Sequence, residues 1–114
     1  MNKTIEMRIN TKGFDAIVAG TKLWEICVND EKRSAVRIGD EIIFFRRPEC
    51  TESVKTIVEE REVFQNLQRM LDKIPLKDIN DSQTELEYLQ SFMAHYRPEE
   101  MVNCGIVALK IKKI

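Results

Sequence analysis

The chain has 114 residues, the size of one ordinary domain, and a chain of this length can bury most of the surface that its unfolded form exposes. Hydrophobic residues make up 43% and charged residues 32%, which argues against intrinsic disorder. The formal net charge of −1 excludes a global basic field for non-specific nucleic-acid binding, and no apolar run reaches the roughly 20 residues of a membrane-spanning helix.

Cysteine and histidine usage limits the redox and metal chemistry. The chain has three cysteines, Cys27, Cys50 and Cys104. Because their number is odd and none are spaced as C-x-x-C, a disulfide framework and a cysteine-rich zinc site are both disfavoured. His95 is the single histidine, so a histidine-based metal cluster is excluded. The N-terminus also lacks the apolar core of a signal peptide, so we expect a cytoplasmic protein. We further expect a monomer or weak dimer with no cofactor, no metal and no membrane contact.

The first part of the chain predicts two strands joined by a helix. Residues 4–10 alternate polar and apolar side chains with the period of two of a strand. Thr11 then N-caps a short helix that closes at Gly20. Residues 23–28 form a second strand, with Glu25 and Cys27 on one face and the apolar side chains of Trp24, Ile26 and Val28 on the other.

The middle of the chain predicts a polar loop and two further strands. Residues 29–37 predict a loop with one turn of helix. Gly39-Asp40 is a tight turn before the strand at residues 41–45, which Arg46-Arg47-Pro48 ends. A hairpin loop at 49–53 leads into a strand at 54–63.

Two helices and a last strand complete the predicted elements. The first helix carries Val63, Leu67, Met70, Leu71 and Ile74 at helical spacing. The second begins with a capping box of Ser82 and Glu85 and ends at Pro98. Its predicted apolar face consists of Leu86, Leu89, Phe92, Met93 and Tyr96. Gly105 introduces a final strand at 106–111.

This pattern has no regular βαβ alternation and therefore predicts an α+β fold. Five to six strands with glycine-marked corners predict a small mixed barrel, covered by two or three helices. No repeat, low-complexity tract or linker interrupts the sequence, so we expect a single domain over residues 1–114.

Several short motifs occur in a specific order along the chain. They are Gly20-Thr-Lys22-Leu-Trp-Glu25, which matches G-x-K-x-x-E, and the segments 30–33, 37–44, 63–71, 95–100 and 105–111. Together they resemble the ASCH family of small PUA-like β-barrels over nearly the whole chain. The resemblance implies a cleft in which the motif's lysine, glutamate and arginine face RNA or a nucleotide-like ligand.

Lys22 and Glu25 match that motif, whereas Cys27 occupies the position of its arginine. A phosphate-binding guanidinium would then have to come from Arg8, Arg33 or Arg46. Tyr96, in a segment that also resembles the family, is expected at the edge of the cleft. The candidate ligand-binding residues are therefore Gly20, Lys22, Glu25, Arg8, Arg33, Arg46 and Tyr96.

Two alternatives to a binding module stay open. One branch of the family resembles amidohydrolases acting on N4-acetylcytidine, and a small hydrolase of that kind, or one acting on RNA, would use Lys22 and Glu25 as its catalytic pair. Glu25, however, stands where that branch has a threonine, and a carboxylate does not replace a hydroxyl nucleophile without a change of mechanism. The other alternative is an interaction domain with a vestigial cleft, in which the two residues form an ordinary ion pair.

Overall fold

The computed structural model describes residues 2–80 and 82–114, which form five strands, five α-helices and one 3₁₀ turn. The strands are β1 (Thr4–Ile9), β2 (Trp24–Val28), β3 (Glu41–Arg46), β4 (Ser53–Phe64) and β5 (Ile106–Lys113). The helices are α1 (Thr11–Ala19), α2 (Glu31–Ser34), α3 (Leu67–Lys73), α4 (Glu85–His95) and α5 (Pro98–Cys104), with the 3₁₀ turn at Leu76–Asp78.

All five strands belong to one sheet in the order β1-β3-β4-β5-β2. The pair β1–β3 is parallel and the other pairs are antiparallel, with a register shift between Val58 and Glu60 where β4 bends against β5. The sheet curls into a half-barrel whose two edge strands are β1 and β2. The predicted α+β, PUA-like fold is thus confirmed, although the helices are shorter and more numerous than expected.

Two apolar cores lie on opposite faces of this sheet. Inside the curl, Phe14 and Ile17 of α1 pack against buried side chains that include Met7 and Phe44. On the other face, α3 and α4 cover β2 and β5. Since β2 and β5 are buried on both faces, β5 begins with an uninterrupted apolar run, Ile106-Val-Ala-Leu.

Gly20 ends α1 as predicted, but both predicted N-caps are wrong by one or two residues. Helix α1 is capped by Asn10, whose side chain accepts from Gly13 N at 2.8 Å, and Thr11 is its first residue. Helix α4 is capped by a box of Thr84 and Glu87, not by Ser82 and Glu85. In each case more than one residue near the start of the helix had a side chain able to cap it, so the sequence alone did not decide between them.

The predicted helix faces also need correction. On α4 the buried residues are Tyr88 and Phe92, whereas Leu86 and Met93 are 65% and 57% exposed. Val63 belongs to β4, not to the helix that follows. The prediction that Pro98 ends α4 misses a further helix: α4 already ends at His95, and Pro98 is the first residue of α5, where its missing N–H costs nothing.

Within residues 2–80 and 82–114, no helix has both the length and the apolar character needed to cross a membrane.

Candidate functional site

The lysine of the hexapeptide is fixed by the end of α1. Gly20 takes φ of 80°, which a side chain would disfavour, and its N–H caps the carbonyls of Ala16 and Ile17. The Lys22 N–H also donates to Ala16 O at 3.1 Å. Lys22 then crosses to the segment after the 3₁₀ turn, where its ammonium donates to Ile79 O at 3.0 Å. Lys22 is therefore held at both its backbone and its head group.

Glu25 meets this ammonium from β2. Lys22 Nζ and Glu25 Oε1 are 3.5 Å apart, and the two side chains are 8% and 15% exposed. No hydrogen bond to the Glu25 carboxylate is found within the described residues. The pair is thus largely buried and loosely joined, and the carboxylate has lone pairs that accept no hydrogen bond among the described residues.

Both residues line a cleft of about 820 Å³. Its walls come from β1, α1, β2, the segment after the 3₁₀ turn, and α4. Since β1 and β2 are the two edges of the curled sheet, the cleft occupies the open seam of the half-barrel. Its volume lies in the range of small-ligand sites, roughly 300–1,000 Å³.

An aromatic ladder that runs along α4 to its C-cap residue, Tyr96, forms one wall. Tyr88, Phe92 and Tyr96 recur every four residues and all three line the cleft. The ring centroids of Phe92 and Tyr96 are 4.7 Å apart, and those of Tyr88 and Phe92 are 6.2 Å apart. Burial raises the pKa of Tyr88 and of Tyr96 above the ordinary value, so both hydroxyls stay protonated donors at neutral pH.

Amide and hydroxyl groups form a short polar chain beside the ladder. Asn80 Nδ2 donates to Gln83 Oε1 at 2.9 Å, and Gln83 Nε2 donates to Ser91 Oγ at 3.0 Å. All three residues line the cleft. Side-chain amides of this kind can donate and accept hydrogen bonds at the edge of a planar heterocycle.

The cleft floor contains a guanidinium despite the missing motif arginine. Cys27 is buried, and burial raises the pKa of its thiol to about 12, so it is a neutral packing group and not a nucleophile. Arg33, carried by α2, lies beside this thiol and lines the cleft. Its Nη1 donates to Asp30 Oδ2 at 2.9 Å, which fixes the side chain.

The structure brings most of the predicted site residues together. Lys22, Glu25, Arg8, Arg33 and Tyr96 all line the cleft. Gly20 does not line it and acts only as the helix terminus.

Arg46 also lies outside the cleft lining, because its guanidinium is held by Asp15 at 2.8 Å and Glu52 at 3.2 Å and stacks on the Phe14 ring. Its neighbour Arg47 lines the cleft in its place.

Sequence reasoning missed the remaining cleft groups. Tyr88, Asn80, Gln83 and Arg47 line it without having been predicted. The four-residue spacing of Tyr88, Phe92 and Tyr96 was the available signal, since it marks one helix face. Trp24, by contrast, packs against the core that α3 and α4 cover, on the same face of β2 as Ile26 and Val28, which is the face that the sequence predicts. Among the described residues, no cluster of three or more His, Cys, Asp or Glu side chains is arranged for a metal ion.

Solved structures of other proteins share this fold. The crystal structure of hypothetical protein PH0355 matches with a TM-score of 0.85 and 27% identity, covering 97% of this chain and 99% of that one. The solution structure of PF0455 from Pyrococcus furiosus matches with a TM-score of 0.77 and 22% identity, covering 97% of each chain.

A third is the crystal structure of a serine-to-alanine mutant of ZmASCH from Zymomonas mobilis. It matches with a TM-score of 0.67 and 10% identity over 96% of this chain and 69% of that chain. No curated protein matches the sequence. The family model of the ASCH domain, however, matches residues 7–114. The chain therefore belongs to the ASCH domain family.

Proposed function

We propose that the protein binds RNA or a nucleotide-like ligand in the cleft at the seam of its half-barrel. The observation that carries the proposal is the convergence of three kinds of group on one hollow. These are the Lys22–Glu25 pair, the aromatic ladder of α4, and the amides of Asn80 and Gln83. A nucleotide has a negatively charged phosphate for the lysine, a planar base for the aromatic ladder and polar base edges for the amides.

Each group has a distinct role in this proposal. The exposed side of the ladder, at Tyr96, stacks on a base, an interaction worth roughly 1–3 kcal/mol per base. The amides of Asn80 and Gln83 contact the edge of that base. The Lys22 ammonium attracts a phosphate or a carbonyl oxygen, and Glu25, which has acceptor capacity left, receives a ligand N–H or O–H.

Arg33 supplies the guanidinium that the strand itself lacks at Cys27. It reaches the same part of the cleft from α2, and its pairing with Asp30 holds it in one orientation. A preoriented guanidinium binds phosphate more effectively than a free one because less side-chain entropy is lost. The cysteine at position 27 thus moves the phosphate contact from β2 to α2 and does not abolish it.

The test is to offer mixed nucleosides, nucleotides and short RNAs to the wild type and to Lys22→Ala, and to identify retained ligands by mass spectrometry. We expect Lys22→Ala to lower affinity roughly 10-fold, whereas Lys112→Ala, which removes an exposed lysine at the far end of β5, leaves it unchanged. Retention of no ligand by the wild type, or equal retention by Lys22→Ala, contradicts the proposal and leaves a vestigial cleft.

A hydrolase is the second candidate, and the enclosed Glu25 carboxylate beside an ammonium favours it over an inert fold. Since the Cys27 thiol is neutral, attack by a water activated by Glu25 is the route that this cleft offers. Glu25→Gln separates the two functions. Turnover that disappears in this variant while affinity survives identifies a hydrolase, and absence of turnover in the wild type leaves a binding module.

A further inference from the structure

A second hollow of about 530 Å³ adjoins the cleft. The two share Met7, Arg8, Arg33 and Arg47, so these residues form the ridge between them. The second hollow adds Lys32, from the same short helix as Arg33, and Phe45 from β3. The cleft is therefore continuous with a further concave surface along a row of cations.

The cations on this ridge are unequally compensated, since Arg33 is already ion-paired, as described above. Within residues 2–80 and 82–114, Arg8 and Arg47 form no ion pair and no side-chain hydrogen bond. The Lys32 ammonium donates to a backbone carbonyl, Glu6 O, at 3.0 Å. Four of the described residues around the second hollow are cationic, and Glu6 is the one carboxylate among them. In a chain of net charge −1, this is a local excess of positive charge.

An aromatic ring lies within this charged surface. Arg8 pairs with Phe45 in the parallel β1–β3 ladder, and the ladder continues through Arg47 N, which donates to Ile9 O at 2.9 Å. Side chains alternate along a strand, so Arg8, Phe45 and Arg47 lie on one face while Phe44 is buried in the core on the other. Phe45 is only half-buried, with Arg8 opposite it on β1 and Arg47 two residues further along the chain.

We propose that this second hollow is a nucleotide subsite, so that the ligand is a single-stranded RNA segment of at least two nucleotides and not a free nucleoside. One base lies on the α4 ladder, the backbone crosses the ridge of Arg8, Arg33 and Arg47, and the next base stacks on Phe45. Lys32 contacts the phosphate beyond it. Alternation of cations and an aromatic face is what backbone-tracking single-strand binders use. This inference rests on the function proposed above and extends it.

The test compares the four ribonucleoside 5′-monophosphates with a random-sequence ribohexamer by titration calorimetry. We expect the hexamer to bind at least 10-fold more tightly than the best monophosphate. Lys32→Ala and Phe45→Leu, which alter only the second hollow, should each weaken hexamer binding about 5-fold and leave monophosphate affinity unchanged. Lys32→Ala should also reduce the slope of log affinity against log salt by about 0.7, the value for one lost phosphate contact on a single strand.

Lys112→Ala and Arg69→Ala are the matched controls, since each removes an exposed cation outside both hollows, and hexamer affinity should not change in either. A hexamer that binds no more tightly than a monophosphate, or that is insensitive to both Lys32→Ala and Phe45→Leu, overturns the subsite. Monophosphate binding that still depends on Lys22 would then uphold the first cleft alone, whereas absence of binding by every ligand overturns both proposals.

Discussion

Two partly buried ion pairs in this molecule differ in how completely they are satisfied. At the start of β3, the Asp40 side chain is 2% exposed, accepts hydrogen bonds from Lys3 N at 3.0 Å and Arg37 N at 2.8 Å, and pairs with Lys3 Nζ at 3.0 Å. In the cleft, Glu25 has a single partner at 3.5 Å among the described residues.

This difference distinguishes a structural pair from a candidate site. Burial by itself raises the pKa of the Asp40 carboxyl, but the hydrogen bonds from Lys3 and Arg37 outweigh it and hold that pKa below the ordinary value. Asp40 is therefore enclosed and held by three partner groups, which leaves it inaccessible to a ligand. The Lys22–Glu25 pair keeps charge and acceptor capacity in a hollow of ligand size, and a ligand is the group that would satisfy them.

The largest expected effect comes from breaking the satisfied pair. Asp40→Asn replaces one acceptor oxygen by a donor that faces an N–H group, so the free energy of unfolding should fall by roughly 3 kcal/mol. Ligand affinity at the cleft should be unchanged in the folded protein. Urea unfolding measures the first quantity and calorimetry the second. The exposed Asp72→Asn is the control, and a loss equal to that of Asp40→Asn would refute the structural role of Asp40.

The next effect tests whether the cleft floor excludes water. Burial raises the pKa of the Cys27 thiol from an ordinary 9.0 to about 12 in the folded protein. The contribution of the buried neutral thiol to stability is therefore fully present below pH 9 and is lost as pH rises toward 12. The free energy of unfolding should therefore fall by up to about 1.4 kcal/mol per pH unit above pH 9.

Cys27→Ala removes this contribution while the buried tyrosines stay in both proteins. Urea unfolding between pH 8 and 10.5 should accordingly give a shallower decline for the variant than for the wild type. Parallel curves for the two proteins would show that the Cys27 thiol ionises freely and that the floor is open.

A smaller effect on stability is expected from neutralising the unsatisfied pair. In the double variant Lys22→Met, Glu25→Gln, near-isosteric neutral groups replace two poorly solvated charges, so the free energy of unfolding should stay constant or rise by about 1 kcal/mol. Ligand affinity should nevertheless fall at least 10-fold. Urea unfolding and calorimetry on the same sample measure both. A destabilisation as large as that of Asp40→Asn would make the pair a structural one.

The smallest effect separates the two sides of α4. Leu86→Gln and Met93→Gln lie on its exposed side and should change the free energy of unfolding by less than about 0.5 kcal/mol. Phe92→Leu, on the cleft side, should cost more than about 1 kcal/mol because it leaves a gap between Tyr88 and Tyr96. Thermal unfolding compares the three variants. Equal effects on both sides would contradict the orientation of the helix.

The strands were predictable because their signals are local. Alternation in β1, β-rich composition in β2 and the Gly39-Asp40 turn before β3 are each contained in a few residues. The Lys22–Glu25 pairing was also predictable, since both side chains belong to one hexapeptide. Helix α4 was found and part of its buried face was predicted correctly, since Phe92 is buried and Leu89 and Tyr96 pack against the core. Leu86 and Met93 were wrongly included because they are as apolar as the residues that are covered.

The rest of the site depends on tertiary structure. Arg33 reaches the cleft because α2 lies beside Cys27, and Arg47 rather than Arg46 lines it because the β1–β3 ladder continues one residue past the strand. The polar chain of Asn80, Gln83 and Ser91 joins two segments across the start of α4. No periodic pattern predicts these contacts, since those of Arg33 and Arg47 depend on the packing of separate elements and those of the polar chain on the path of the segment before α4.

Amide chemical-shift mapping with a short RNA tests the central claim most directly. We expect shifted amides to cluster at residues 22–27, at 79–80 and 82–83 and along the cleft side of α4, and Lys22→Ala to reduce these shifts strongly at an RNA concentration near the wild-type Kd. Shifts confined to the exposed lysines at the end of β5, or identical shifts in Lys22→Ala, would contradict it.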